Sequence, residues 1–211
     1  MRLPVRSGIF SFLLLLSGTA TMAQVNNWEY DLLRSIARHR STAGNSFHKD
    51  LSKINGGLCL AVPATLFVTG LLNKDKNMKK NALYITESIL VSSVVTWGMK
   101  EAVNRKRPAY NDPTFTAVLD LKNNSFPSGH TSEAFSMATA VSIAYPRWYV
   151  IAPAFAYASL AGYSRLYLGV HFPTDVLAGA MLGSGSAWLS YKINQWIRQE
   201  QKKKKRPALP E

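Results

Sequence analysis

Five apolar blocks, at residues 56–72, 82–99, 134–145, 148–163 and 176–193, alternate with polar stretches and leave this chain few folds to choose from. Blocks of this length read as helices buried either in lipid or in one another, and periodicity alone does not separate the two. Several are shorter than the roughly 20 residues of a full membrane span. Weakly polar Ser, Thr and Gly at their ends lengthen them, and membrane helices carry such residues at packed faces. Glu87 lies inside the second block and is costly in lipid unless it faces protein. The apolar fraction of 47% is ordinary, so the distribution carries the signal. One domain is the default for 211 residues.

Charge placement separates lipid from a soluble core. A net charge of +13 could suggest nucleic acid, but the positive residues sit in short clusters beside apolar segments, which favours a membrane and no nucleic acid. The N-terminus has Arg2 and Arg6, an apolar run from Ile9 to Leu16, and small residues up to Ala23. These are the parts of a secretory signal cleaved after Ala23; the alternative is a first transmembrane helix that stays. Either way the chain after residue 23 starts on the far side. Single crossings then put Lys74, Lys76, Lys79 and Lys80, the Pro146-Arg147 turn and the basic tail 196–211 in the cytoplasm, the positive-inside pattern. The polar stretches 100–131 and 164–175 both fall outside.

Residues 24–55 read as a periplasmic amphipathic and linker segment. Trp28, Leu32, Leu33 and Ile36 have helical spacing, which predicts a short helix over 26–40 at the membrane surface or packed on the protein. Residues 42–55 are polar and read as a loop, with His39 and His48 on the surface. The single cysteine, Cys59, forms no internal disulfide and says nothing about compartment.

The outer stretches hold three constellations. Lys100 and Arg107 stand seven apart at the end of an apolar block, about two helical turns, so both can point the same way. They lie on the side where positive residues are disfavoured, and an anionic ligand supplies a reason. Ser128-Gly129-His130 leads into an apolar helix whose first amides point outward; Gly129 admits close backbone approach and Ser128 adds a hydroxyl. Arg165 has a fork suited to phosphate, His171 can attack or carry a proton, and Asp175 sits near a helix start where it could hold one imidazole nitrogen. The inventory suits phosphate transfer through a phosphohistidine, one histidine attacking and the other protonating the leaving oxygen. From the residues alone either histidine could attack, though the His171–Asp175 spacing favours His171. No Cys, His or Asp cluster has metal-ligand spacing, so no metal or other cofactor is required.

These residues resemble the type 2 phosphatidic acid phosphatase superfamily, whose pattern is K-x6-RP, then PSGH, then SR-x5-H-x3-D. Here it reads Lys100…Arg107-Pro108, Pro127-Ser128-Gly129-His130 and Ser164-Arg165…His171…Asp175. The resemblance implies His171 as nucleophile, Asp175 as its partner and His130 as the general acid that later activates water. It implies Lys100, Arg107, Ser128, Gly129 and Arg165 as phosphate ligands. The wording from Tyr167 to Asp175, followed by a Gly/Ala-rich helix, is similar to the integral-membrane lipid phosphatases. The expectation is an all-α, membrane-embedded bundle of five or six helices in which residues 56–195 form the phosphatase domain. It would be multi-pass in a bacterial inner membrane, with its site at the periplasmic end. The substrate would be a phosphate monoester or diphosphate on a lipid: lipid A phosphate, undecaprenyl diphosphate, phosphatidylglycerophosphate or phosphatidic acid. The alternatives are a soluble periplasmic acid phosphatase, a vanadate-dependent haloperoxidase on the same site, and a non-catalytic lipid-binding protein.

Overall fold

The computed structural model describes residues 25–204, and every regular element among them is a helix. Helix α1 spans Asn27–Arg38, α2 Thr42–Leu72, α3 Lys76–Val103, α4 the single turn Pro108–Asn111, α5 Gly129–Ala144, α6 Trp148–Tyr167 and α7 Pro173–Lys204. The five apolar blocks are the five long helices α2, α3, α5, α6 and α7. Residues 1–23, expected as a signal or first transmembrane helix, lie outside the described residues, as does the tail beyond 204.

The 42–55 stretch is not a loop. Ser41 caps α2, its hydroxyl accepting from Gly44 N at 3.0 Å, and the helix runs unbroken from there into the apolar block. Its charged side chains, such as Asp50 and Lys53, point to solvent, while Asn55 is buried. A polar first half is what a helix needs where it emerges from an apolar layer. The run of polar residues therefore concealed a helix with one inward-facing edge.

Helix α5 sits at the centre and packs on α7, α6 and α3. The contact with α7 is close because Gly179 and Gly183 lie one turn apart on the facing side. A Cβ on Gly179 would stand 2.6 Å from Ser128 O, and one on Gly183 would stand 2.1 Å from Ser132 O. Small residues also line the α5–α6 seam, where Ala134, Ala138, Ala158 and Ala161 form a buried cluster. Such faces let helix backbones approach without large side chains. Glu87, inside α3, accepts from Asn194 Nδ2 of α7 at 2.6 Å, so it faces protein.

Large apolar side chains point outward instead: Leu60 and Leu72 on α2, and Leu83, Val94 and Trp97 on α3, are all more than half exposed. Helix α2 and the stretch Lys76–Asn111 are long and apolar enough to cross a membrane. At about 1.5 Å per residue, α3 separates Lys76 at one end from Lys100 near the other by more than 30 Å. The lysine-rich α2–α3 turn and the Pro146-Arg147 turn thus lie at the end remote from the starts of α5 and α7.

Candidate active site

All three constellations meet where α3, α5, α6 and α7 have the ends away from those turns. Lys100 and Arg107 do not share one continuous helix, as their spacing suggested. Asn104 adopts a left-handed conformation (φ 49°) and stops α3, and Arg107 is extended ahead of Pro108, the first residue of α4. They converge because both bind the same downstream segment. Lys100 Nζ donates to Asn124 O at 2.6 Å, and Asn124 Nδ2 donates back to Lys100 O at 2.9 Å. Arg107 donates through Nε to Asn123 O at 2.8 Å and through Nη2 to Asn123 Oδ1 at 2.6 Å.

His171 lies in the connection between α6 and α7, and Asp175 in the first turn of α7. Their Nδ1 and Oδ2 atoms are 3.4 Å apart. Asp175 Oδ2 also accepts from Phe172 N at 2.8 Å and from the Ser125 hydroxyl, and Oδ1 accepts from Arg105 Nη1 at 2.5 Å. With Nδ1 turned to a carboxylate, the network assigns the ring proton to Nδ1 and the lone pair to Nε2. Nε2 faces Arg107 Nη1 at 3.2 Å. Burial lowers the His171 pKa. The Asp175 hydrogen bond raises it, the Arg107 and Lys100 charges lower it, and the net shift is downward. The ring is therefore neutral at neutral pH, the form in which a nitrogen attacks.

Ser128 is the N-cap of α5 and is fully buried; its Oγ accepts from Thr131 Oγ1 at 2.9 Å, and its amide donates to Asp175 O at 3.0 Å. The first N–H groups of α5 have no carbonyl one turn back to bind. A Cβ on Gly129 would meet one atom within contact range, Thr96 Cγ2 at 3.9 Å, so the space beside its Cα is open. His130 Nε2 lies 3.4 Å from Ser52 Oγ of α2. Charges on Arg165, Arg107 and Lys100 all act on its ring.

Arg165, 1% exposed, turns Nε and Nη2 to the hydroxyl of its neighbour Ser164, at 3.1 and 3.0 Å. Among the described residues no carboxylate lies within ion-pair distance of Arg165, nor of Arg107, which is 5% exposed. A guanidinium out of water without a counter-charge is costly, so two side by side call for an anion. The bound species would stand between these cations, the α5 amides and the two histidines.

Several residues here escaped the sequence reading. Asn123, Asn124 and Ser125 shape the pocket by backbone and side-chain contacts that carry no motif. Ser52 and Asn55 reach His130 from the stretch read as a loop; Asn55 Nδ2 donates to Glu133 at 3.3 Å, and Asn55 Oδ1 accepts from Tyr157. Glu29 of α1 and Arg105 form a buried ion pair at 2.7 Å. Glu29 had one visible signal, since it shares a helix face with Leu33 and no other charge. His39 is on the surface as expected, but His48 is buried, its ring 4.1 Å from that of Tyr167.

The PAP2 superfamily model matches residues 81–199. An undecaprenyl-diphosphatase of Sulfolobus acidocaldarius is 33% identical over 127 residues, which are 60% of this chain and 61% of that protein. A lipid A 1-phosphatase of Porphyromonas gingivalis is 30% identical over 169 residues, 77% of this chain and 35% of that protein. The chain thus spans less than two thirds of the length of either relative. The crystal structure of a transmembrane PAP2-type phosphatidylglycerolphosphate phosphatase from Bacillus subtilis superposes with a TM-score of 0.74, covering 90% of this chain and 96% of that one. At 22% identity this likeness speaks for the fold.

Proposed function

The chain belongs to the PAP2 superfamily, and on that premise we propose that it is a membrane lipid phosphatase acting through a phosphohistidine. The observation that carries this reading is the pair of buried arginines, Arg107 and Arg165, which have no carboxylate within ion-pair distance among the described residues and face His130 and the His171–Asp175 pair. The chemistry follows from those positions. His171 Nε2 attacks phosphorus, forming an N–P bond as the bond to the leaving oxygen breaks. His130, which burial and the surrounding cations keep neutral in the empty site, takes up a proton as the phosphate's negative charge enters beside it. It gives that proton to the leaving oxygen, then takes one from the water that hydrolyses the phosphohistidine. Asp175 holds Nδ1–H and balances the positive charge the ring gains. Lys100, Arg107, Arg165 and the Ser128–Gly129 corner hold the remaining phosphate oxygens. Arg107, now 3.2 Å from Nε2, turns to the phosphate when substrate enters.

A lipid substrate is supported by the outward apolar faces of α2 and α3, which disfavour a soluble acid phosphatase. It is also supported by a cavity of about 430 Å³ between these helices, lined by Cys59, Leu60, Phe67, Leu83 and Leu90. Glu133, one turn from His130, closes the cavity at the site end. The two curated relatives named above are an undecaprenyl-diphosphatase and a lipid A 1-phosphatase, and a phosphate or diphosphate on a lipid is the shared chemistry and the substrate class proposed here. The positive-inside distribution supports multi-pass insertion in a bacterial inner membrane with the site facing the periplasm.

The test is phosphate release by the purified chain from lipid A phosphate, undecaprenyl diphosphate, phosphatidylglycerophosphate and phosphatidic acid. At least one is expected to be hydrolysed, and His171→Ala to lower that rate by about 10⁴-fold or more while the chain stays folded. Activity retained in that variant contradicts the reading.

A further inference from the structure

Helix α1 lies outside the matched region 81–199, yet its one fully buried charge reaches the catalytic carboxylate through a single residue. Arg105 Nη2 donates to Glu29 Oε2 at 2.7 Å, and Nη1 donates to Asp175 Oδ1 at 2.5 Å and to Thr174 Oγ1 at 2.8 Å. Thr174 Oγ1 in turn donates to Glu29 Oε1 at 2.6 Å. The Arg105 guanidinium carbon stands 4.2 Å over the Phe172 ring, on the residue after His171. Glu29, Arg105 and Asp175 are all 5% exposed or less.

We propose that Glu29 is a positioning residue for the reaction, acting through Arg105 on the His171–Asp175 pair. It rests on the phosphatase reading only for the identity of the step. As His171 Nε2 commits its lone pair to phosphorus, the ring gains positive charge that Asp175 stabilises. Arg105 alone would cancel much of that help, because its own positive charge sits on the far oxygen of the same carboxylate. Glu29 shares Arg105, so the trio carries net negative charge, and Asp175 remains an effective partner in a site where little water screens the pair. The same contacts hold the start of α7 in register, with Glu29 fixing Thr174 next to Asp175. Among the described residues the other charged groups facing His171 are Arg107 and Lys100, both positive, so no further carboxylate there stands in for Glu29.

A role confined to docking α1 gives a different pattern of variants, and the double substitution separates the two. Glu29→Gln keeps the hydrogen-bonding shape and removes the charge. The expected result is a kcat lower by about tenfold with KM changed by less than about twofold. Glu29→Gln/Arg105→Gln removes both offsetting charges, and its kcat should exceed that of Glu29→Gln alone. A double variant no faster than Glu29→Gln, or a Glu29→Gln enzyme with wild-type kcat, overturns the inference.

Orthovanadate binding to the full-length chain in detergent supplies a readout without turnover. Its affinity should fall in Glu29→Gln and recover in the double variant. Equal affinity in wild type and Glu29→Gln overturns the inference. A wild-type chain that shows the expected vanadate pattern yet releases phosphate from no lipid contradicts the phosphatase reading and supports the coupling.

Discussion

Arg105 and Arg165 are buried alike, at 5% and 1% exposed, and keep opposite company. Arg105 is held between two carboxylates and an aromatic ring. Arg165 touches one neighbouring hydroxyl and no carboxylate among the described residues. The difference divides the site into two halves. Around Asp175 the polar contacts are made within the protein, and that half is finished before any ligand arrives. Around Arg165, Arg107 and the start of α5, positive charge is collected without a carboxylate in ion-pair reach of either arginine among the described residues, and that half calls for an anion. A fold that positions a nucleophile needs the first kind of network, and one that receives phosphate needs the second.

If that division is right, the two arginines respond oppositely to truncation. The largest effect on activity in this set belongs to His130→Ala, expected to cost about 10²–10⁴-fold with poor leaving groups and far less with good ones. A uniform loss across leaving groups would remove His130 from the acid role. Arg165→Lys is expected to cost about 10²-fold in kcat/KM, because a point charge does not reproduce the fork; wild-type kinetics would show that the fork is not used. In ligand-free protein, Arg165→Met should leave the melting temperature unchanged or raise it, whereas Arg105→Met should destabilise by about 3–5 kcal/mol by stranding two carboxylates. Equal losses in both variants would break the comparison.

A smaller effect concerns pH. The folded-state pKa of His171 lies below the ordinary 6.5 because burial disfavours the charged ring. The nucleophile therefore stays neutral as pH falls through 6.5, and the acid limb of kcat/KM assigned to His171 should lie below that value. A limb at or above 6.5 that disappears from the profile of a His171 variant's residual activity would show the ring to be better solvated than its packing indicates.

Much of the site was legible in the sequence because its residues sit at the ends of helices that apolar periodicity reveals. Lys100, Ser128, Gly129, His130, Arg165 and Asp175 lie at such ends, and His171 in the short connection between two of them. The joint path of Lys100 and Arg107 was not legible, since a left-handed Asn104 and the restriction ahead of Pro108 break the helix between them. The polarity of residues 42–55 suggests a loop, whereas Ser41 capping and the inward edge of Ser52 and Asn55 make a helix there. Glu29 escaped because its partner is 76 positions away. Buried ion pairs between distant segments leave no periodic trace; a carboxylate on the packed face of α1 is as much as the sequence shows.

The central claim is that His171 carries the phosphoryl group. The direct measurement uses the His130→Ala chain with a labelled phosphate ester of a good leaving group, quenched in alkali, where phosphohistidine survives, and mapped by peptide. Label on His171, accumulating because water activation is slowed, is the expected result. Label on any other residue, or an identical yield from a chain that also carries His171→Ala, would contradict it.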